Sequence, residues 1–88
     1  MKTLVLYRLH SDHGRDVEGF IEDLKKSGAS IKVEVMNVDT REGMSTASLY
    51  DVTRYPAIMV LRDDGILQKL WEGVPLPMIN EVEAYLTA

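Results

Sequence analysis

The apolar positions of this chain fall into runs whose spacing predicts an ordered series of elements. Thr3, Leu4, Val5, Leu6 and Tyr7 form a β-rich and almost wholly apolar run. Such a run suits a strand buried on both faces of a sheet. The polar break His10-Ser11-Asp12-His13-Gly14 follows. In it, Ser11 or Asp12 is placed to cap a helix by accepting an otherwise unpaired backbone N–H. Val17, Phe20, Ile21 and Leu24 then recur at i, i+3, i+4 and i+7, which predicts an amphipathic helix. Lys25, Lys26 and Gly28 supply its stop signal.

Ile31, Val33 and Val35 alternate with Lys32 and Glu34, predicting a second strand with one more polar face. Asp39 or Thr40 is placed to cap a second helix. Met44, Ala47, Leu49, Tyr50 and Val52 make that helix short and imperfect, and Gly43 weakens it by about 1 kcal/mol relative to alanine. Ala57 to Leu61 predicts a third strand, again continuously apolar. Arg62-Asp63-Asp64-Gly65 is a turn, and Asp-Gly between two strand-like runs signals a hairpin. Ile66 to Trp71 is the fourth strand, ended by Gly73. Pro77 suits the first turn of a last helix, with Ile79, Val82, Tyr85 and Leu86 inward. The order is β-α-β-α-β-β-α. A helix between the first two strands implies a parallel crossover, and the hairpin an antiparallel pair. The expectation is an α/β fold: a mixed four-stranded sheet with helices on both faces.

Composition narrows the function. A chain of 88 residues makes one domain, here residues 1–88. The net charge of −4 argues against a nucleic-acid surface, which needs clustered Lys and Arg. Lys25-Lys26 is the one basic pair, placed where cations favour a helix end. The first apolar run is too short for a membrane span or a signal-peptide core, so a cytoplasmic location is expected and no membrane partner. There is no cysteine. Thiol–disulfide exchange requires a thiolate, so this chain's own side chains do not perform it.

The element order resembles the thioredoxin/glutaredoxin core, and local features carry the resemblance. Val38-Asp39 closes the second strand much as that superfamily does. Tyr55-Pro56-Ala57 opens the third strand and is similar to its cis-proline segment. Asp64-Gly65 with Trp71-Glu72-Gly73 resembles its hairpin and the glycine after the fourth strand. The superfamily's Cys-x-x-C lies between the first strand and the first helix. The resemblance places Ser11 and Gly14 at those two positions, or Asp12 and Arg15 in a register one residue later; neither contains sulfur. It also implies a cis bond before Pro56 and a groove beside it.

The candidate site is therefore a binding groove formed by Ser11, Asp12, His13, Gly14, Arg54, Tyr55, Pro56, Gly73 and Val74. A proline at the strand start removes a backbone donor, leaving the Arg54–Tyr55 backbone for pairing with an extended peptide. Proline there also serves simply to blunt a strand end against aggregation. Ser11 is either a helix cap or a hydroxyl for a glutathione thiol. The Glu-Ser pair that glutathione-transferase-like domains carry is absent from Leu70-Trp71-Glu72-Gly73. No oriented triad partner accompanies Ser11 as a nucleophile, so no catalytic residue is assigned. His10, Asp12 and His13 are suitable zinc ligands, but they are few and sit in a polar loop, so no metal and no cofactor is expected. Tyr7, Tyr55 and Trp71 are candidates to line the groove, with Tyr7 better suited to the core. Arg15 and Arg54 are candidates to flank it and attract a carboxylate.

The leading expectation is a non-redox thioredoxin-like module that binds a protein or peptide. The alternatives are a glutathione-binding or transferase-like domain using Ser11, and a scaffold or oligomerisation domain.

Overall fold

The computed structural model describes residues 1–27 and 32–86. Its elements run β1 (Lys2–Tyr7), α1 (Gly14–Ser27), β2 (Val33–Asn37), α2 (Arg41–Leu49), β3 (Ala57–Leu61), β4 (Leu67–Glu72) and α3 (Ile79–Leu86). The strands form one sheet in the order β2-β1-β3-β4. β1 pairs parallel with β2, and antiparallel pairs join β1 to β3 and β3 to β4. This is the mixed α/β sheet expected, in the expected element order.

The central strands explain their own composition. β1 and β3 each have a neighbour on both sides and a helical layer on both faces. Val5, Tyr7, Ile58 and Val60 point to one face, where Val17, Phe20, Ile21 and Leu24 of α1 and Val82 of α3 cover them. Leu4, Leu6, Met59 and Leu61 point to the other, beneath Ala47 of α2 and Val52. A strand buried this way has no polar face to show, hence the unbroken apolar runs. Thr3 is the exception. It is fully buried, and among the described residues its Oγ1 has no hydrogen-bond partner. An orphaned buried hydroxyl costs about 1–3 kcal/mol. Thr3→Val, which keeps the shape and removes the hydroxyl, is expected to raise the urea midpoint of unfolding.

The hairpin follows its sequence. Arg62 N–H donates to the Ile66 carbonyl at 2.9 Å and Gly65 N–H to the Arg62 carbonyl at 2.9 Å, with Gly65 at φ +87°. That is a loop of three residues whose last position needs the left-handed region, which glycine adopts freely. The fourth strand starts one residue later than expected, at Leu67, because Ile66 belongs to this turn.

Two local expectations are corrected, at α1 and α3, and at α2 the choice between two caps is resolved. α1 is not capped by a Ser11 or Asp12 side chain: it starts at Gly14, its first bond runs from Val17 N–H to the His13 carbonyl, and Ser11 Oγ donates backwards to the Arg8 carbonyl. In α2, Thr40 rather than Asp39 is the cap, accepting Gly43 N–H at 3.0 Å. Starting there turns Gly43 and Ala47 inward and leaves Met44 55% and Leu49 73% exposed. In α3, which begins two residues after Pro77, Val82 is buried, while Tyr85 is exposed and meets Trp71 edge-on at 5.6 Å. The expected stop at Gly28 and strand start at Ile31 lie outside the described residues.

Candidate functional site

Strand direction brings the candidate residues to one end of the sheet. β1 ends where antiparallel β3 begins, with Leu6 opposite Ala57. β4 runs back to end beside the same place, with Ala57 opposite Glu72. The loop after β1, the segment before β3 and the turn after β4 therefore converge. Gly73 N–H donates to the Pro56 carbonyl at 2.8 Å and ties the last two together. The Tyr55–Pro56 bond is cis, and so is Val74–Pro75, which no sequence signal indicated. Gly73 sits at φ +74° with the Arg54 guanidinium beside it.

Asp12, His13, Tyr55 and Val74 line an open depression of about 370 Å³ here, together with Asp16 of α1. Val74 is 69% exposed, whereas Pro56 is buried and does not line the depression. Among the described residues, the amides of Arg54 and Tyr55 find no hydrogen-bond acceptor. Tyr55 OH reaches the Val52 carbonyl at 3.5 Å, and its ring packs partly on the core. The Ser11 carbonyl accepts Gly14 N–H at 3.1 Å. A Cβ at Gly14 would lie 3.8 Å from Ser11 Oγ, so these two positions face each other across the loop.

Arg8, which the sequence reading passed over, organises this loop. Its carbonyl accepts the Ser11 hydroxyl, and its N–H donates to His13 Nε2 at 3.3 Å. Its guanidinium pairs with Asp39 at 3.1 Å and lies 6.0 Å from the Tyr55 ring centre. The available signal was its place directly after a buried strand, at the carboxyl end where sites of open α/β sheets gather. Below the loop, Tyr7 is buried 6.5 Å from the His13 ring. Burial pushes its phenol above the ordinary tyrosine value, and the Glu18 carboxylate adds to the shift.

Other candidates lie apart from the groove. Arg54 turns to Glu72, at 3.9 Å, and Glu72 also accepts Thr53 N–H at 3.3 Å. Arg15 lines a separate depression between α1 and the start of α3, so the two arginines do not flank one site. Trp71 packs with Tyr85 and Lys69 on the β4 side, and Tyr7 is in the core, leaving Tyr55 as the groove's aromatic. His10 is exposed at φ +59° and does not join His13. Among the described residues no group of three His, Asp or Glu side chains is arranged around a metal position. No described helix is long and apolar enough to cross a membrane.

No family model matches this chain, and no curated protein matches it by sequence. Solved structures do. Thioredoxin 1 of the thermophilic eubacterium Thermosipho africanus superposes with a TM-score of 0.73 at 21% identity, over 99% of this chain and 96% of that one. Oxidised thioredoxin O2 of Arabidopsis thaliana gives 0.74 at 10% identity, over 98% and 71%. A malarial protein gives 0.75 at 17% identity, over 97% and 91%. The fold is thioredoxin-like, in a chain without cysteine.

Proposed function

We propose that this is a non-redox thioredoxin-like module that binds an extended protein segment in the groove beside Pro56. The observation that supports it most is the Arg54–Tyr55 backbone. Its amides have no partner among the described residues, and they lie near an exposed Val74 and a half-buried Tyr55. An extended segment pairing with that backbone gains main-chain hydrogen bonds for affinity, and the flanking side chains select its residues. This use of the groove needs no thiol. A glutathione-activating role for Ser11 has less behind it, because that hydroxyl is already donated to the Arg8 carbonyl.

The test is affinity capture from host lysate by three forms of the protein. These are the unmodified chain, Val74→Glu, and the double variant Tyr55→Arg/Val74→Glu. Val74 is exposed, so its substitution leaves the core untouched; circular dichroism checks the double variant. A partner held by the unmodified chain and lost from both variants is the expected result. Partners retained equally by all three would move the binding surface elsewhere.

A further inference from the structure

The depression beside Tyr55 has a neighbour along α1. Asp16 lines the first, and Asp16 also lines the larger neighbouring depression of about 630 Å³ between α1 and the segment leading into α3. Phe20, Asp23, Met78 and Ile79 line the far part. Val74 lines the first depression, Pro77 and Met78 line the second, and Asp16 of α1 belongs to both. Met78 is 65% exposed, so the extension carries apolar surface as the first part does.

The charge along this track is one-sided. Asp12, Asp16 and Asp23 are exposed, and none makes an ion pair or hydrogen bond with another described residue. Among the described residues Arg15 is the one guanidinium lining it; Arg54 is drawn to Glu72. Asp16 and Asp23 lie on one face of α1 two turns apart, about 10.5 Å at the rise of an α-helix. An extended chain covers that distance in about three residues.

Resting on the peptide-binding reading above, we propose that the occupant of these two adjoining depressions is a basic extended peptide. An apolar residue sits between Tyr55 and Val74. Lysine or arginine side chains within the next few residues meet Asp16 and Asp23. The apolar anchor and exposed backbone amides hold the segment, and the carboxylates favour cationic over acidic sequences through charge complementarity.

The test uses a phage-displayed library of random heptapeptides selected against three proteins. These are the unmodified chain, Asp16→Lys/Asp23→Lys, and Val74→Glu. Both aspartates are exposed, so the charge reversal leaves the core intact. Peptides selected on the unmodified chain are expected to be enriched in Lys and Arg. They should bind the charge-reversed protein about tenfold or more weakly, the scale of two exposed ion pairs converted to repulsions. Selection on the charge-reversed protein should yield Asp and Glu instead. Peptides that lose affinity for Val74→Glu but show no charge preference would overturn this inference and leave the groove reading standing. No selected peptide, or none weakened by Val74→Glu, would overturn both.

Discussion

Gly43→Ala is expected to destabilise the protein by about 2 kcal/mol, although alanine is the better helix former by about 1 kcal/mol. A Cβ at position 43 would stand 2.1 Å from the Asn37 carbonyl oxygen, 2.8 Å from its carbon and 3.0 Å from the Val38 Cα. All three are backbone atoms with little room to yield. The Asn37 carbonyl is held by Thr40 N–H at 3.1 Å and Thr40 Oγ1 at 2.8 Å, and Val38 N–H by the Tyr7 carbonyl at 3.0 Å. Either the Thr40 cap or the packing of Ala47 over the sheet must give way. Gly19, in the middle of α1, is the internal control: a Cβ there meets nothing within 4 Å. Gly19→Ala is expected to stabilise by about 0.5–1 kcal/mol from propensity alone. Urea unfolding of both variants checks the contrast. A Gly43→Ala protein more stable than the parent would mean that α2 does not approach the β2 end so closely.

Leu24→Ala is expected to cost about 2–5 kcal/mol. Leu24 is fully buried in the cluster that joins α1 to Val5, Ile58 and Val60. Its truncation leaves a cavity between helix and sheet that rigid central strands do not refill. That is a large share of the roughly 4–13 kcal/mol available to a chain of this size, so partial unfolding at room temperature is within its reach. Leu49→Ala, at a position 73% exposed, is expected to change stability by no more than about 0.5 kcal/mol. Chemical denaturation of the pair measures the difference. Equal effects would mean that α1 and α2 do not differ in depth as described.

These two leucines also show what the sequence carried. In α1 the spacing of Val17, Phe20, Ile21 and Leu24 matches the helical period, so both the helix and its buried face were legible. β1 and β3 were legible because complete burial leaves continuous apolar runs. α2 misled, because its buried face is made by Gly43 and Ala47 while Met44 and Leu49 face solvent. A face built on close backbone approach leaves no hydrophobic period to find. Of the candidate residues that the resemblance supplied, Asp12, His13, Tyr55 and Val74 line one depression. Arg8 and Asp16 were missed because each reads locally as an ordinary surface charge. Their placement depends on the strand pairing that brings β1, β3 and β4 to a common end. Trp71, open between groove and sheet packing, was undecided for a related reason: side chains alternate along β4, and its ring falls on the α3 face beside Tyr85.

The proposed docking edge is the backbone before Pro56, and amide hydrogen exchange, read residue by residue by NMR with and without a selected peptide, probes that backbone itself. The Tyr55 amide has no acceptor among the described residues, so it should exchange rapidly in the free protein and at least tenfold more slowly in the complex, the signature of a new main-chain hydrogen bond. Protection that appears along β2 or the outer edge of β4, with Tyr55 unchanged, would contradict the account.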